Sequence, residues 1–170
     1  MAGWQVQFHT VADSTNDLAR AAPVGTAVVA AQQRCGRGRL GRRWIAPPGG
    51  LWLSAVFPPP PPAQAAAARA VAHAVTELVK LPVRFCPPND LVVGGKKLGG
   101  VLVEAVWYGG RPQRAVVGVG INVNNPAGQL PPPLDQTAVA LVDVLGLPQS
   151  LPALLAGVLA GLAGMVGKER

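Results

Sequence analysis

The segment GRGRLGRRW, at residues 36–44, excludes one large class of folds even though its first letters match G-x-G-x-x-G. In a dinucleotide-binding fold this pattern follows a strand and opens a helix, whose amino end receives a pyrophosphate. The preceding TAVVAAQQ favours the strand, but the following WIAPPGGLW contains two prolines and two glycines, which break helices. The acidic ribose partner expected about 20 residues later is also missing, because residues 58–62 are all proline. A Rossmann-type fold is therefore excluded.

The other segments predict an α+β domain. Alanine-rich residues 63–80 form the clearest helix, and Ser14 is a favourable amino-terminal cap for a second helix at 16–22. Apolar runs separated by turn residues, among them GGKK, indicate a largely antiparallel sheet. The predicted strands are 26–32, 51–57, 83–86, 91–93, 98–108 and 114–124, and two further helices are expected at 137–145 and 152–167. We interpret residues 1–170 as one domain.

Length, hydropathy and cysteine content predict a single-domain protein of the cytoplasm. The 170 residues suffice for one sizeable core. No apolar run approaches the roughly 18 residues of a membrane span, and MAGWQVQFHT lacks the basic and apolar regions of a signal peptide. Cys35 and Cys86 form neither a CxxC pair nor a disulfide framework, and with only two distant histidines they do not predict a metal site.

Positive charge is concentrated in one loop. The formal net charge is +7, and five of the fifteen basic residues fall within ten positions: Arg34, Arg37, Arg39, Arg42 and Arg43. A nucleic-acid-binding face usually spreads its basic residues over a wider surface. The loop therefore predicts a local anionic ligand, and a nucleic-acid-binding loop is the alternative from a different class of function.

Four polar clusters interrupt the apolar background, each beside a predicted strand end or turn. They are STN at 14–16, QRCGRGRLGRRW at 33–44, PNDLVVGGKKLGG at 88–100 and GVGINVN at 118–124. Glycines in the second cluster let the backbone approach a ligand, and its guanidinium groups suit two-pronged binding of carboxylate or phosphate. Asn89 and Asp90 supply oxygen ligands of the kind that hold Mg²⁺ jointly with phosphates.

This combination of side chains suits the joining of a carboxylic acid to the α-phosphate of ATP. Two anions must come together in that reaction, so fixed cations have to screen their repulsion and stabilise charge in the transition state. Lys97, on the turn into an apolar strand, is one such cation. The pattern favours an adenylate-forming enzyme.

The four clusters, in this order, resemble the motifs of the biotin protein ligases, also called biotin–[acetyl-CoA-carboxylase] ligases. GRGRLGRRW is similar to the family's GRGRxGRxW, PNDLVVGGKKLGGVLVE to KWPND followed by KLAGILVE, and GVGINVN to GxGINV. The resemblance implies the catalytic-domain fold shared with lipoate ligases, a mixed sheet flanked by helices. It also implies synthesis of biotinyl-5′-AMP from biotin and Mg·ATP, and transfer of biotin to a lysine of the biotin carboxyl carrier protein of acetyl-CoA carboxylase.

The resemblance further implies a role for each site residue. The biotin-binding residues would be Ser14, Thr15, Asn16, Gln33, Arg37, Gly38, Arg39 and Lys97. The catalytic cations would be Lys97, between the carboxylate and the α-phosphate, with Arg37 and Arg39 on a loop expected to order over the ligand. The ATP-binding residues would be Arg39, Arg42, Trp44, Asn89 and Asn122, and the magnesium ligand would be Asp90. From the residues alone, Trp44 also fits a core position, Asn122 a hydrogen bond within its own turn, and Thr15 a helix cap.

The chain departs from the family pattern at Cys86 and Pro87, where Lys-Trp is usual, and at Gly99, where alanine is usual. The missing cation and aromatic ring predict weaker ATP binding unless another group supplies the charge. We expect no amino-terminal helix-turn-helix, hence no sequence-specific DNA binding, and no small carboxyl-terminal β-barrel-like domain. The sequence leaves open a lipoate or octanoate ligase of the same fold, and a biotin-binding protein without catalysis. The oligomeric state is also open, and a homodimer is one of the states that the sequence allows.

Overall fold

Seven strands form one sheet in the computed structural model, which describes residues 3–166. The strands are β1 (Gln5–Ala12), β2 (Thr26–Gln33), β3 (Leu51–Phe57), β4 (Arg84–Cys86), β5 (Asp90–Val93), β6 (Lys96–Tyr108) and β7 (Arg111–Ile121). Their order across the sheet is β1-β2-β3-β7-β6-β5-β4. The β1–β2 pair is parallel, and the other neighbouring pairs are antiparallel. The predicted α+β class with a mixed, largely antiparallel sheet is confirmed.

Two long helices, α2 (Gln64–Val79) and α5 (Leu151–Val166), cover one face of this sheet. Small residues let them pack closely on each other, since a Cβ added at Gly161 would lie 3.1 Å from the Ala74 side chain. Beneath them the core consists of fully buried aliphatic side chains such as Val71 and Leu162. Burial of each such side chain contributes about 1.5–3 kcal/mol to the stability of the fold. Because most of the buried apolar side chains lie here, this face supplies most of the hydrophobic core.

The opposite face of the sheet is only partly covered. Helix α1 (Thr15–Ala21) packs over one end of it, where Ala19 contacts a small cluster that includes Val28 and Val56. Side chains two apart on a strand share a face, so Ser54 faces this side as Val56 does. Ser54 pairs with Gly118 of the neighbouring strand β7. From that pair onward the sheet forms the floor of a cavity.

The region after β7 differs from the prediction of one helix at 137–145, which is wrong. Two short helices, α3 (Leu134–Thr137) and α4 (Leu141–Leu145), flank an extended segment instead. In that segment the N–H of Val139 donates to the carbonyl of Lys97 at 2.9 Å, which ties it to the sheet. Hydrogen bonds to the sheet thus outweigh the helix propensity of the alanines at 138 and 140.

Strand β1 is not among the predicted strands. It lies at the edge of the sheet with one neighbour, and Phe8 is 67% exposed, so its apolar residues do not mark a buried face. The turn predicted at GGKK is confined to Gly94 and Gly95, both with positive φ, and the two lysines begin β6. Gly167, the predicted end of the last helix, lies outside the described residues.

The other helices agree with the sequence to within one residue at each described end. Helix α1 begins at Thr15 and stops before Pro23, and α2 lies within the predicted range 63–80. Among the residues that the structure describes, no helix is long and apolar enough to span a membrane.

Candidate functional site

A cavity of about 520 Å³ lies on the open part of the sheet face, beside α1. Volumes of this order are typical of sites for small molecules. All four polar clusters contribute to its lining. It contains every residue that the sequence predicts for the site: Ser14, Thr15, Asn16, Gln33, Arg37, Gly38, Arg39, Arg42, Trp44, Asn89, Asp90, Lys97 and Asn122. The structure therefore brings all of these residues together in one cavity.

One side of the cavity is neutral and hydrogen-bonding; we call it the polar wall, and it consists of Ser14, Thr15, Asn16 and Gln33. The Oε1 atom of Gln33 accepts hydrogen bonds from the backbone N–H of Thr15 at 2.8 Å and from its hydroxyl at 3.1 Å. This leaves the Nε2 group of Gln33 as a donor for a ligand. Ser14 is the N-cap of α1, yet its side chain makes no capping bond to the described helix, so its hydroxyl is also available.

A buried hydroxyl supports the polar wall from behind. Ser54 on β3 is fully buried, and its Oγ lies 2.8 Å from Thr15 Oγ1 and 2.6 Å from Asn16 Oδ1. The Nδ2 group of Asn16 donates to Glu104 Oε2 at 2.7 Å. Gly118 makes room for this network, because a Cβ there would lie 2.3 Å from Asn16 Oδ1. The polar wall is thus held in one arrangement before any ligand binds.

Another side of the cavity is formed by the arginine loop, residues 34–43. It folds as a small hairpin in which Arg37 and Arg43 form an antiparallel bridge and the N–H of Gly38 donates to the carbonyl of Arg42 at 2.7 Å. The tip is a short 3₁₀ turn, Arg39–Gly41, in which Leu40 has a φ of 57° and is 88% exposed. The loop therefore has a defined hairpin shape but an exposed tip.

Arg37 ties the arginine loop to α1. Its guanidinium donates two hydrogen bonds to the carboxylate of Asp17, at 2.5 and 2.6 Å. These bonds lower the pKa of Asp17 and raise the pKa of Arg37. By contrast Arg39 and Arg42 form no ion pair with the described residues. They are therefore available to bind an anionic ligand.

A β-bulge turns Lys97 into the cavity. Leu91 of β5 pairs with Gly99, but Val92 pairs with Lys97, so Leu98 is an extra residue in β6. The extra residue shifts the alternation of side chains by one position. Leu98 is accordingly buried in the core and Lys97 lines the cavity. Regular alternation would place Lys97 on the core side of the sheet.

The ammonium group of Lys97 lies between a carboxylate and an aromatic ring. Its Nζ is 2.6 Å from Asp90 Oδ1 and 5.6 Å from the centre of the Trp44 ring. Both Lys97 and Asp90 are partly exposed, with 40% and 33% of their side-chain surface accessible. A charged ligand can therefore reach this pair from the cavity.

The predicted nucleotide-side residues have mixed surroundings. The Trp44 ring lines the cavity and also packs edge-on against Trp52 at 6.2 Å, so its position is compatible with both interpretations that the sequence left open. Asn122 also lines the cavity, but its amide accepts a hydrogen bond from Asn125 at 3.0 Å and is buried. The carbonyl of Asn89 accepts from the N–H of Val101 at 3.0 Å, which leaves the Asn89 side chain at the cavity surface.

One carboxylate of the described cavity suits a magnesium ion. The described residues contain no group of three or more His, Cys, Asp or Glu side chains that could hold a metal ion. Asp90 is the carboxylate that lines the cavity at Lys97. Magnesium in nucleotide sites is commonly held by one or two carboxylates together with phosphate oxygens. Asp90 fits that mode and no other.

Three residues that shape the site are missing from the sequence-based prediction: Asp17, Ser54 and Glu104. Ser54 is the one polar residue in LWLSAVF, and Glu104 the one charged residue between Leu98 and Tyr108. A lone polar residue in an apolar strand is the signal that could have identified both. Their partners could not be identified in this way, because Asn16 and Glu104 are 88 positions apart.

The architecture and the cavity define an α+β ligand-binding domain in which a polar wall and a group of cations share one pocket. The chain belongs to the biotin/lipoate A/B protein ligase family, whose sequence profile matches residues 7–122. The predicted family is thereby confirmed.

Three relatives, one of them with a solved structure, show how far the similarity extends. The bifunctional ligase/repressor BirA of Bacillus subtilis is 34% identical over 156 residues, which cover 85% of this chain and 48% of BirA. The biotin–[acetyl-CoA-carboxylase] ligase of Mycobacterium tuberculosis is 35% identical, over 84% of this chain and 57% of the relative. The chain thus spans about half the length of these relatives. The biotin protein ligase of Aquifex aeolicus in complex with biotin and ATP is 30% identical and superposes with a TM-score of 0.85, over 96% of this chain and 71% of that one.

Proposed function

We propose that this domain joins biotin to AMP at the expense of ATP and then transfers biotin to a lysine of the biotin carboxyl carrier protein of acetyl-CoA carboxylase. One observation carries the proposal: the polar wall and the cations Lys97, Arg39 and Arg42 line the same cavity. A substrate with a polar head and a carboxylate tail matches both sides at once. The relatives' names, biotin–[acetyl-CoA-carboxylase] ligase among them, support the same activity.

In the first step a carboxylate oxygen of biotin attacks the α-phosphorus of ATP. A bond forms between that oxygen and phosphorus, and the bond to the leaving oxygen breaks, so that pyrophosphate departs with the electron pair. Lys97 and Arg39 screen the repulsion between the two anions and stabilise the charge that accumulates in the transition state. Lys97 does so by exchanging its contact with Asp90, 2.6 Å away, for contacts with the substrates.

In the second step the neutral amine of the carrier lysine attacks the acyl carbon of biotinyl-5′-AMP. The new C–N bond is an amide, the C–O bond to AMP breaks, and the amine loses a proton. Arg39 holds the adenylate until the carrier arrives, and Arg37 assists with the N–H groups that its bonds to Asp17 leave free. Trp44, Asn89, Arg42 and Asn122 line the nucleotide side. Asp90 would hold Mg²⁺ together with phosphate oxygens, and the ion would add positive charge there. Neither step as written involves DNA or a second copy of the chain, and we propose that both take place in the cytoplasm.

The polar wall argues against lipoate as the acid. The head of biotin is a cyclic urea with one acceptor and two donors, whereas the head of lipoate is an apolar disulfide ring. An apolar head would leave the Ser14 hydroxyl and the Gln33 Nε2 group without hydrogen-bond partners, and unpaired buried polar groups cost about 1–3 kcal/mol each. We therefore propose biotin as the substrate in preference to lipoate or octanoate.

Magnesium-dependent release of pyrophosphate from ATP, measured with biotin, with lipoate and with no acid, tests the proposal. We expect release that requires biotin, followed by labelling of a single carrier lysine. A preference for lipoate would assign the domain to the lipoate branch of the family. Tight binding of biotin without release of pyrophosphate would identify a biotin-binding protein that lacks the chemistry.

A further inference from the structure

Glu104 does not line the cavity itself, and Asn16 is the described residue that connects it to the cavity by a hydrogen bond. Glu104 lies on β6, and its Oε2 accepts the hydrogen bond from Asn16 Nδ2 at 2.7 Å. Its other oxygen lies 3.7 Å from the guanidinium of Arg20, which is 46% exposed. The Arg20 contact is thus long and solvated, while the Asn16 contact is short and charge-assisted. Asn16 is therefore the principal partner of Glu104.

The carboxylate of Glu104 determines which way the Asn16 amide faces. An ionised carboxylate only accepts hydrogen bonds, so the NH₂ group of Asn16 must point to it and Oδ1 must point away. That oxygen then meets the hydroxyl of Ser54 at 2.6 Å. A reversed amide would direct its oxygen at the Glu104 oxygens, where two acceptors repel each other. The donor and acceptor positions of Asn16 are therefore set by Glu104.

The direction of the Asn16 amide also fixes the Ser54 hydroxyl, whose one proton must go to Asn16 Oδ1. The oxygen of Ser54 then remains as an acceptor for the Thr15 hydroxyl, 2.8 Å away, whose own single proton goes either there or to Gln33 Oε1. Four structural elements, β6, α1, β3 and β2, thus contribute side chains to one polar network. We infer that Glu104 is a positioning residue for biotin recognition: it fixes the donor and acceptor pattern that the polar wall offers to the cyclic urea. This inference rests on the proposed function.

Two substitutions of Glu104 test it by calorimetric binding of biotin and by steady-state kinetics. Glu104→Ala removes the acceptor, and we expect the Kd and KM for biotin to rise about tenfold, the size of one charge-assisted hydrogen bond. The kcat and the KM for ATP should stay unchanged. Glu104→Gln keeps an acceptor oxygen for Asn16, and we expect it to restore biotin binding to within about threefold of wild type. Arg20→Ala is the matched control, because it removes only the long contact, and it should bind biotin like wild type.

A double-mutant cycle separates positioning from a general structural effect. If Glu104 acts through Asn16, Glu104→Ala should have no further effect on biotin binding in an Asn16→Ala background. If Glu104→Ala weakens biotin binding as much in the Asn16→Ala background as in wild type, the inference is overturned. A rise in the KM for ATP parallel to that for biotin would also overturn it. So would unchanged biotin binding by folded Glu104→Ala, or by Glu104→Met if the alanine variant does not fold. A wild-type protein that binds no biotin would instead overturn the proposed function, and the positioning role with it.

Discussion

The two sides of the cavity are built in different ways. The polar wall is neutral and largely buried, and its side chains are engaged with one another, since Thr15 and Asn16 are 3% and 6% exposed. The cationic side is exposed: Lys97 is 40% accessible, and the tip of the arginine loop projects into solvent. One side is rigid before binding, and the other is held by a few ion pairs.

This difference suits the two parts of the proposed reaction. Recognition of a neutral polar head depends on fixed donors and acceptors, because a misplaced hydrogen bond loses most of its value. Charge stabilisation depends on cations that can follow the substrate from ground state to transition state and then release the product. Substitutions on the polar wall should therefore change biotin binding, and substitutions on the cationic side should change rates.

The largest effect is expected at Lys97. Lys97→Ala should lower the rate of biotin-dependent pyrophosphate release about a thousandfold, because it removes the cation nearest to the reacting oxygens. The fold should persist, since Leu98 and not Lys97 occupies the core position created by the bulge. Circular dichroism and the pyrophosphate assay measure the two effects. Lys96→Ala, at the exposed neighbouring residue, is the control, and near-normal release by Lys97→Ala would remove Lys97 from the mechanism.

A substitution in the sheet can disrupt the polar wall while the four residues of the wall stay unchanged. Gly118→Ala would place a Cβ 2.3 Å from Asn16 Oδ1 and displace that side chain. Overpacking of this kind costs about 1–3 kcal/mol, so we expect the KM for biotin to rise about ten- to a hundredfold with a smaller change in kcat. Gly128→Ala has no described atom within 4 Å of its new Cβ and serves as the control. A fall in kcat at an unchanged KM would contradict the division between the two sides.

The residues that line the cavity could be predicted from the sequence, because each polar cluster lies where a strand ends or turns. Asn89 lies between the predicted strands 83–86 and 91–93, Asn122 lies near the end of the predicted strand 114–124, and both line the cavity. The direction of Lys97 could not be predicted, since it depends on one extra residue in β6 and so on a pairing register that sequence alone does not reveal. The supporting contacts of Ser54 and Glu104 were also inaccessible, because they join strands and helices far apart in the chain.

The prediction of the fold failed where tertiary contacts outweigh local preference. The alanines at 138 and 140 favour a helix, yet the segment follows the sheet, bonded to Lys97 and Asn122. Strand β1 was missed for a different reason. Its apolar residues are mostly exposed, so it does not alternate between buried apolar and exposed polar positions as a half-buried strand does. In both cases the deciding partner is a strand that is distant in sequence.

On the cationic side the arginine loop should control how long the activated intermediate is kept. Arg39→Gly removes a cation of the loop that forms no ion pair with a described residue, and we expect biotinyl-5′-AMP to be released about tenfold faster, the effect of one lost charge-assisted contact. Release is measured as labelled adenylate free in solution after separation from protein. Arg34→Gly introduces the same backbone flexibility at a residue of the loop that does not line the cavity, and is the control. Unchanged release by Arg39→Gly would show that Arg39 does not hold the intermediate.

The smallest effect is expected at the ion pair between Asp17 and Arg37. Asp17→Asn should increase tryptic cleavage within the arginine loop a few-fold at pH 7.5, and it should lower the free energy of unfolding by less than about 1 kcal/mol, because the pair is partly exposed. Asp13→Asn, at an exposed carboxylate near the same helix, is the control. Equal cleavage of wild type and Asp17→Asn would mean that the hairpin bonds alone order the loop.

The pH dependence of this pair has a definite sign. Hydrogen bonds from Arg37 hold the pKa of Asp17 below its ordinary value of 3.8. The stabilisation is therefore fully present above pH 3.8 and is lost as the pH falls through the lowered pKa in the folded state. Urea unfolding should accordingly show a constant difference between wild type and Asp17→Asn from pH 7 to about pH 4, and a shrinking one below that. A difference that disappears near pH 6 would require a titrating group other than Asp17.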